Sequence, residues 1–440
     1  MKDKSIKKVN IGMVGFGYIA HGVFELISNQ KEYIAKKTGR EINIIRIAEK
    51  DEEKFKSLNN EVTEGIKISR DAADVYRDPE VDIVVELIGG IDPAYDIVIE
   101  SLKAGKYVVT ANKDLIANRG GDIHRIAEEN DVDILFEASV LGGIPIVGPL
   151  KTSLASDRIY KIVGIVNGTT NYILTKMEKE GLSFEKALLM AQDLGYAEKA
   201  NPSSDIEGYD AACKLAILSS IAFNSRVVVD DVYKEGITKI DSSDIKYAAE
   251  MGYRIKLLAI GSEEDGRIFV RVHPALVPDS HILASIDDVF NAVYVYGEYI
   301  DKVMSYGLGA GDRATASSVV GDIVNIARNF DRNNKQMIYG CSCFEQKKVM
   351  TIDETISKFY IVLDAIDRPG VLAKIAQVFG KHGVSINSMI QKQTDIKEMA
   401  KLIFITHEAA NKDLYESVDE LSGLDVVDRV ANIIRVEELD

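Results

Sequence analysis

The apolar run VNIGMV at 9–14 breaks off at GFG, and the residues beyond it repeat their apolar positions at helical spacing to about Ser28. A strand that enters a helix through a glycine turn leaves few folds open. Gly15 permits the tight turn and Gly17 lets the main chain come close to a diphosphate, while Ala20 holds the third small position of the pattern. The first amides of the helix then face the ligand, with the positive end of the helix dipole behind them. Several classes of nucleotide user share this pattern, so on its own it sets a fold opening and no reaction.

The continuation agrees with that opening. Strand candidates INIIRIA, IVVELI, YVVTA and ILFEA alternate with helices expected at 93–104 and 120–130, which builds an open, doubly wound parallel sheet and ends a first domain near residue 150. From 151 to about 310, the strands YKIVGIVNG, IFVRVHPALV and AVYVYG are interleaved with helices such as FEKALLMAQDLG and the apolar segment 207–223, an α+β arrangement. The last eighty or so residues run FYIVLDA, DRPGVLAKIAQVFGKHG, VSINSMIQK, KLIFITH, a helix at 410–421 and VANIIRV, in the order βαββαβ.

Composition narrows the partners. With 440 residues there is room for two to three cored domains, and 69 acidic against 53 basic residues give a net charge of −16, which argues against nucleic acid or an anionic membrane as the main partner. The three cysteines imply neither a disulfide framework nor a zinc site, which fits a cytoplasmic protein. The basic start MKDKSIKKVNIGMVGFG has no signal-peptide core, and no run approaches a membrane span.

The densest chemistry lies between Gly164 and Lys214, where GIVNGTTNYIL is followed by LGYAEKANPSSDIEGYDAACK. Asp210 and Lys214 are four apart in helical sequence and share a face. On its own such a pair is an ordinary surface ion pair, but the helix that carries it is too apolar to lie on the surface. Asp205 and Glu198 add carboxylates from a loop rich in Asn, Pro, Ser and Gly. Carboxylates and a lysine together suit a small zwitterion, that is, an amino acid. Thr110, Asn112 and Lys113 follow the strand YVVTA, where ligands of such sheets bind. Beyond the second strand, Glu49 favours a free ribose 2′-hydroxyl and Lys50 a 2′-phosphate. His21, His273, His281, His382 and His407 are expected to be structural.

The segment 194–214 resembles the substrate loop of homoserine dehydrogenases, in which Gly-Tyr-Ala-Glu precedes an Asp, a second Asp and a Lys. VDIVVELIGG at 81–90, GKYVVTANKDLIA at 105–117, FEASVLGGIPIV at 136–147 and GLGAGDRATASSVVGDIV at 307–324 look like further motifs of that family in its order. The C-terminal pattern resembles the ACT domain, a ferredoxin-like module that binds amino acids at paired edges.

The resemblance implies an α/β architecture in five parts: a Rossmann dinucleotide-binding domain at 1–150, an α+β substrate and dimerisation domain at 151–312, a helix at 313–330 returning to the first domain, a linker at 331–356 and an ACT regulatory domain at 357–440. It implies reversible NAD(P)H-dependent reduction of L-aspartate 4-semialdehyde to L-homoserine. The related alternatives are an oxidoreductase acting on another small amino-acid aldehyde, or a catalytically silent amino-acid sensor.

Carried over residue by residue, Lys214 is the acid/base, supported by Asp210 and by Lys113, and Glu198, Asp205, Asp210 and Lys113 hold substrate. Gly15, Phe16, Gly17, Tyr18, Ile19, Lys50, Thr110, Lys113, Gly195 and Gly309 form the cofactor site, with NADP preferred through Lys50 and NAD open through Glu49. Glu137 and the carbonyls of Val140, Gly142 and Ile144 resemble a sodium or other monovalent-cation site. Gly370 and Asn387 are the effector contacts, with threonine the effector implied, and a homodimer or higher homo-oligomer is expected. The chain departs from the family with one residue more between Glu198 and Pro202, with Asn201 for a common Asp, and with Cys213 for a frequent His.

Overall fold

Strand β1 (Lys7–Val14) is solvent-facing only at its first residues and buried from Ile11 onward. Two parallel neighbours explain this: β1 pairs with β2 (Arg40–Ala48) on one side and, after β3 (Lys67–Ser69), with β4 (Ile83–Glu86) on the other. β5 (Tyr107–Thr110) and β6 (Ile134–Leu135) complete a six-stranded sheet in the order β3-β2-β1-β4-β5-β6. The order reverses between β1 and β4, so a crevice opens past the carboxyl ends of these strands. The computed structural model describes residues 7–61, 65–331, 335–393 and 398–439.

The chain forms two compact units. The first comprises Met1–Tyr160, Ala216–Val229 and Tyr294–Lys347. Its helix Tyr18–Asn29 packs against helix Asp312–Asn329 so closely that a Cβ on Gly22 would lie 2.9 Å from that of Ala316. The stretch read as a linker begins as part of this unit: Asp133, fully buried, accepts hydrogen bonds from the amides of Ile338, Tyr339 and Gly340 at 2.9, 2.7 and 3.0 Å. Helix Lys31–Thr38 was not expected from the sequence, because its single buried residue, Ile34, gives almost no apolar stripe.

The second unit comprises Lys161–Leu215, Asp230–Val293 and Lys348–Asp440. At its centre, strands Tyr253–Glu264 and Arg267–Pro278 form a long hairpin whose turn residues Asp265 and Gly266 both have positive φ, the Asp-Gly turn that matches strand twist. The strand Tyr253–Glu264 escaped the sequence reading because Lys256 interrupts its apolar run. Lys256 is nonetheless buried, its Nζ donating to Ile286 O at 2.6 Å and lying 3.3 Å from Asp287 Oδ1.

The C-terminal βαββαβ order is as read: Ile356–Ile366, Val371–Lys381, Ile386–Gln393, Met399–Thr406, Asn411–Ser422 and Val427–Val436. Its helices cover one sheet face over a core that includes Phe359, Leu363, Phe379, Phe404 and Leu414. This module is joined to the rest of its unit by strand pairing. Strand Val427–Val436 runs parallel to Arg267–Pro278, with Ala275 opposite Arg435, so the two sheets are continuous within this unit. Glu437 pins the junction, lying 2.9 Å from Arg271 and 3.4 Å from His273. Burial opposes ionisation of this carboxyl, but the Arg271 charge beside it holds it far below the usual range.

Candidate active site

In the first unit, Gly15 has φ +91° and a Cβ there would lie 2.8 Å from Leu87 O, so glycine is required both by conformation and by space. Its amide donates to Ala48 O at 2.9 Å, tying the turn to β2. Gly17 is the N-cap of helix Tyr18–Asn29, supplies no side-chain cap, and a Cβ on it would meet nothing within 4 Å. The first helix amides are therefore left for a ligand, and the space in front of Gly17 is open: these residues fit a dinucleotide diphosphate. Tyr18 is 82% exposed at the turn, and Ile19 is half-buried.

Phe16 is different from its neighbours. Its ring is buried, with His21 at 4.3 Å between centroids, and its amide donates to Glu49 Oε2 at 2.6 Å. The Phe16 amide is thus taken up inside the protein. Glu49 Oε1 accepts from Asp51 N at 2.8 Å, which fixes the carboxylate beneath the glycine turn, whereas Lys50 is exposed.

Thr110 is fully buried: its hydroxyl donates to Glu86 Oε2 at 2.6 Å and accepts from Asn112 N at 2.9 Å. Its side chain therefore shapes the turn. Glu86 also accepts from Ile88 N at 2.9 Å, and Asn112 caps helix Lys113–Glu129 while donating to Gly90 O at 2.7 Å. Glu86 was not singled out from sequence; the signal was a carboxylate at the end of an all-apolar strand. Lys113 is the first residue of that helix, 3.8 Å from Asp114 Oδ2.

In the proposed cation turn, the Glu137 carboxylate accepts from the amides of Ile146, Val147 and Gly148 at 2.6, 2.8 and 2.7 Å. Three backbone donors aimed at one carboxylate tie its side chain to the shape of the turn. Gly142 has φ +53° and a Cβ on it would lie 2.5 Å from Gly309 O, while Gly142 O accepts from Ser318 Oγ at 2.6 Å. Gly142 and Gly309 are thus in main-chain contact. Among the described residues, no cluster of three or more His, Cys, Asp and Glu side chains could hold a metal ion.

Asp322 accepts from Glu137 N at 2.8 Å and is completely enclosed; burial, and then the Glu137 carboxylate beside it, push its carboxyl well above the usual range. A raised carboxyl contributes its full stability at acid pH and loses it as pH rises from the unfolded-state value toward the folded one. Asp322→Asn, whose carbonyl can accept the same amide, is expected to match the parent near pH 3. At neutral pH it should exceed the parent by about 2–4 °C in Tm for the unit that carries it, the shift that about 1 kcal/mol produces in a unit of about 150–250 residues. A calorimetric pH series checks this.

The second unit holds the lysine. Lys214 Nζ donates to Asp210 Oδ2 at 2.6 Å and to Val166 O at 2.8 Å, and both charged residues are buried, 9% and 7% exposed. An ammonium has three donors, so two partners hold its direction and one N–H is left for a ligand. Asn167, which the sequence reading passed over within GIVNGTTNYIL, organises the carboxylates: its Nδ2 donates to Asp205 Oδ1 at 2.7 Å and to Asp210 Oδ2 at 2.8 Å. Its Oδ1 accepts from Thr170 N at 2.8 Å, capping helix Gly168–Glu180. An N-cap Asn was a readable signal; its second role depends on folding.

Asp205, on the short helix Ser203–Ile206, therefore joins Asp210 and Lys214. Glu198 does not: it is exposed, and its main-chain oxygen accepts from Gln192 Nε2 at 3.0 Å. Gly195 has φ +79° and is exposed in the same loop. Gly370, φ +90°, is the N-cap of helix Val371–Lys381 without a side-chain cap, and exposed Asn387 falls at a register shift between Ile386 and Ser388. The histidines are occupied structurally where contacts are defined: His273 Nδ1 meets Pro274 O at 2.8 Å, His281 caps a 3-10 turn and His382 Nε2 meets Glu420 at 2.7 Å. His124, which went unconsidered in the sequence, is buried and kept neutral, chiefly by desolvation.

A glycine cradle at the switch point of a parallel sheet suits a nicotinamide dinucleotide, and a carboxylate-anchored lysine suits proton transfer at a carbon bearing oxygen. Together they define the class: an NAD(P)-dependent oxidoreductase. The family models agree, matching "Homoserine dehydrogenase, NAD binding domain" at residues 15–137, "Homoserine dehydrogenase" at 145–324 and "ACT domain" at 359–425. The homoserine dehydrogenase of Corynebacterium glutamicum is 42% identical, covering 98% of this chain and 96% of that protein, and that of Neisseria gonorrhoeae is 39% identical over 99% and 100%. The crystal structure of a homoserine dehydrogenase from Thiobacillus denitrificans superimposes with a TM-score of 0.91 at 38% identity, covering 99% of both chains. The chain belongs to the homoserine dehydrogenase family. A hyperthermophilic archaeal homoserine dehydrogenase in complex with NADPH matches with a TM-score of 0.62 at 28% identity, over 74% of this chain and 99% of that one.

Proposed function

We propose that the chain interconverts L-aspartate 4-semialdehyde and L-homoserine, with Lys214 giving a proton to the carbonyl oxygen during reduction. The observation that carries this is the Lys214 ammonium, aimed by Val166 O and Asp210 with one N–H remaining. A bound nicotinamide supplies the hydride. Asp210, paired with the Lys214 ammonium at 2.6 Å, fixes the direction of the donor, which gives a proton in reduction and takes one back in the reverse direction. Asp205, held through Asn167, is the carboxylate for the substrate ammonium, and Lys113 is the complementary cation for its carboxylate. Glu198 reaches substrate only if its loop closes.

NADP and NAD are both accepted in this reading. Lys50, exposed beyond β2, pairs with a 2′-phosphate, while Glu49, fixed on the Phe16 and Asp51 amides, opposes it. Lys50→Ala should raise KM for NADPH about tenfold with little change for NADH, on the scale of one charge-assisted contact. Glu49→Gln should shift the preference the other way. The test of the whole proposal follows NADPH and NADH absorbance with L-aspartate 4-semialdehyde or L-homoserine, with and without threonine. Turnover with neither substrate would end it.

A monovalent cation, if bound at 137–144, is held by the carbonyls of Val140, Gly142 and Ile144, with Glu137 shaping their turn. In the ACT region, Gly370 and Asn387 are the contacts for an amino-acid effector, threonine by family likeness. We place the enzyme in the cytoplasm, as a homodimer or higher homo-oligomer. No helix among the described residues is long and apolar enough to cross a membrane.

A further inference from the structure

In the first unit, Cys341 and Cys343 line a cavity together with Ile116, His124, Lys151 and Arg226. None of these residues belongs to the site described above. We propose that Cys341 and Cys343 form a redox-responsive thiol pair, Cys341 the nucleophile and Cys343 the resolving thiol, whose reaction partner is a small hydroperoxide.

The geometry separates the two roles. The Cys343 amide donates to Cys341 Sγ across 3.5 Å, and Arg226 Nη2 lies 3.6 Å from the same sulfur. Cys341 is exposed, so an oxidant can reach it from solvent. Cys343 is less exposed and directs its Sγ toward Ser220 O at 3.6 Å. The neighbouring Cys343 thiol, followed by the Cys343 amide and the Arg226 charge, lowers the Cys341 thiol to about 5, while the proximity of Cys341 and burial raise that of Cys343. One sulfur is thus a thiolate at neutral pH and the other keeps its proton.

The surrounding charges have the right sign. Lys151 donates to Gly340 O at 2.7 Å and remains close enough for its charge to act on Cys341. His124 faces the cavity in its neutral form, and Asp133 acts mainly on Lys151. Glu345 is drawn to Lys347 at 2.9 Å.

In the first step the Cys341 thiolate attacks the outer oxygen of the hydroperoxide. The S–O bond forms, the O–O bond breaks, and the other oxygen leaves as an alcohol or water after taking a proton from solvent. Cys341 is then a sulfenic acid, oxidised by two electrons. Cys343 sulfur attacks that sulfur, the S–S bond forms, and the hydroxyl departs as water with the Cys343 proton. The contact of Cys343 with Ser220 O is lost in the disulfide.

The test uses the full reduced chain. At about pH 6, iodoacetamide should modify Cys341 about 30-fold or more faster than buried Cys213 or Cys343, as a low-pKa thiol against ordinary ones. Arg226→Gln should slow that reaction several-fold without altering the circular dichroism spectrum. Equimolar hydrogen peroxide should yield a Cys341–Cys343 disulfide in the peptide mass map, and Cys343→Ser should stop at a sulfenic acid trapped by dimedone. Equal alkylation rates at the three cysteines, or peroxide oxidation that leaves both thiols of the pair reduced, would overturn the proposal.

Discussion

Lys214→Ala lowers kcat by about 10²–10⁴-fold, the range a positioned general acid contributes, while the Kd of the dinucleotide changes less than twofold. The separation is expected because every residue of the glycine cradle lies in a different stretch of chain from the Val166, Asn167, Asp210 and Lys214 cluster. Removing the ammonium also takes from Asp210 its partner at 2.6 Å, so the variant should be checked for folding by its melting curve. Stopped-flow cofactor binding and steady-state rates decide the matter: retained turnover with normal binding would remove Lys214 from the reaction.

Glu137→Ala is expected to be the most destabilising single change at the sites discussed, by about 3 kcal/mol or more. It leaves the amides of Ile146, Val147 and Gly148 without their common acceptor, and orphaned donors of this kind cost about 1–3 kcal/mol each before solvent relieves part of it. Glu137→Gln should retain about half of the loss, since its carbonyl oxygen can serve some of the three donors. Urea unfolding with unchanged m-values checks both. If the Ala variant loses cation response while keeping its stability, Glu137 is a ligand after all and the reading of its role here is wrong.

Much of the site was legible in the chain because it depends on local rules. A glycine at positive φ, an Asp and a Lys one helical turn apart, and a glycine pair in VLGG are short-range patterns, and Gly15, Asp210, Lys214 and Gly142 all stand where those patterns put them. The ACT order was readable for the same reason: each strand and helix carries its own periodicity.

What escaped depends on partners far away in sequence. Asn167 carries at most the local signal of a helix cap, and its main role comes from Asp205 and Asp210, which the fold sets against its amide from 38 and 43 residues on. Glu49 reads as a ribose ligand until its carboxylate turns onto Phe16 N, 33 residues back. Glu137 resembles a metal ligand, and the three amides that close on it show only in the fold. Lys256 hides a strand, because a lysine inside an apolar run looks like its end.

Periodicity, turn residues and motif spacing therefore mark most of the elements and the glycine turn at 15–17, and point to Asp205, Asp210 and Lys214, since each follows from backbone sterics over a few residues. Folding decides which polar groups face one another, as when strand Val427–Val436 joins Arg267–Pro278 and Asp133 gathers residues 338–340. A buried donor or acceptor must find a partner wherever the chain returns, and the place of that return is not written in the residues on either side of it.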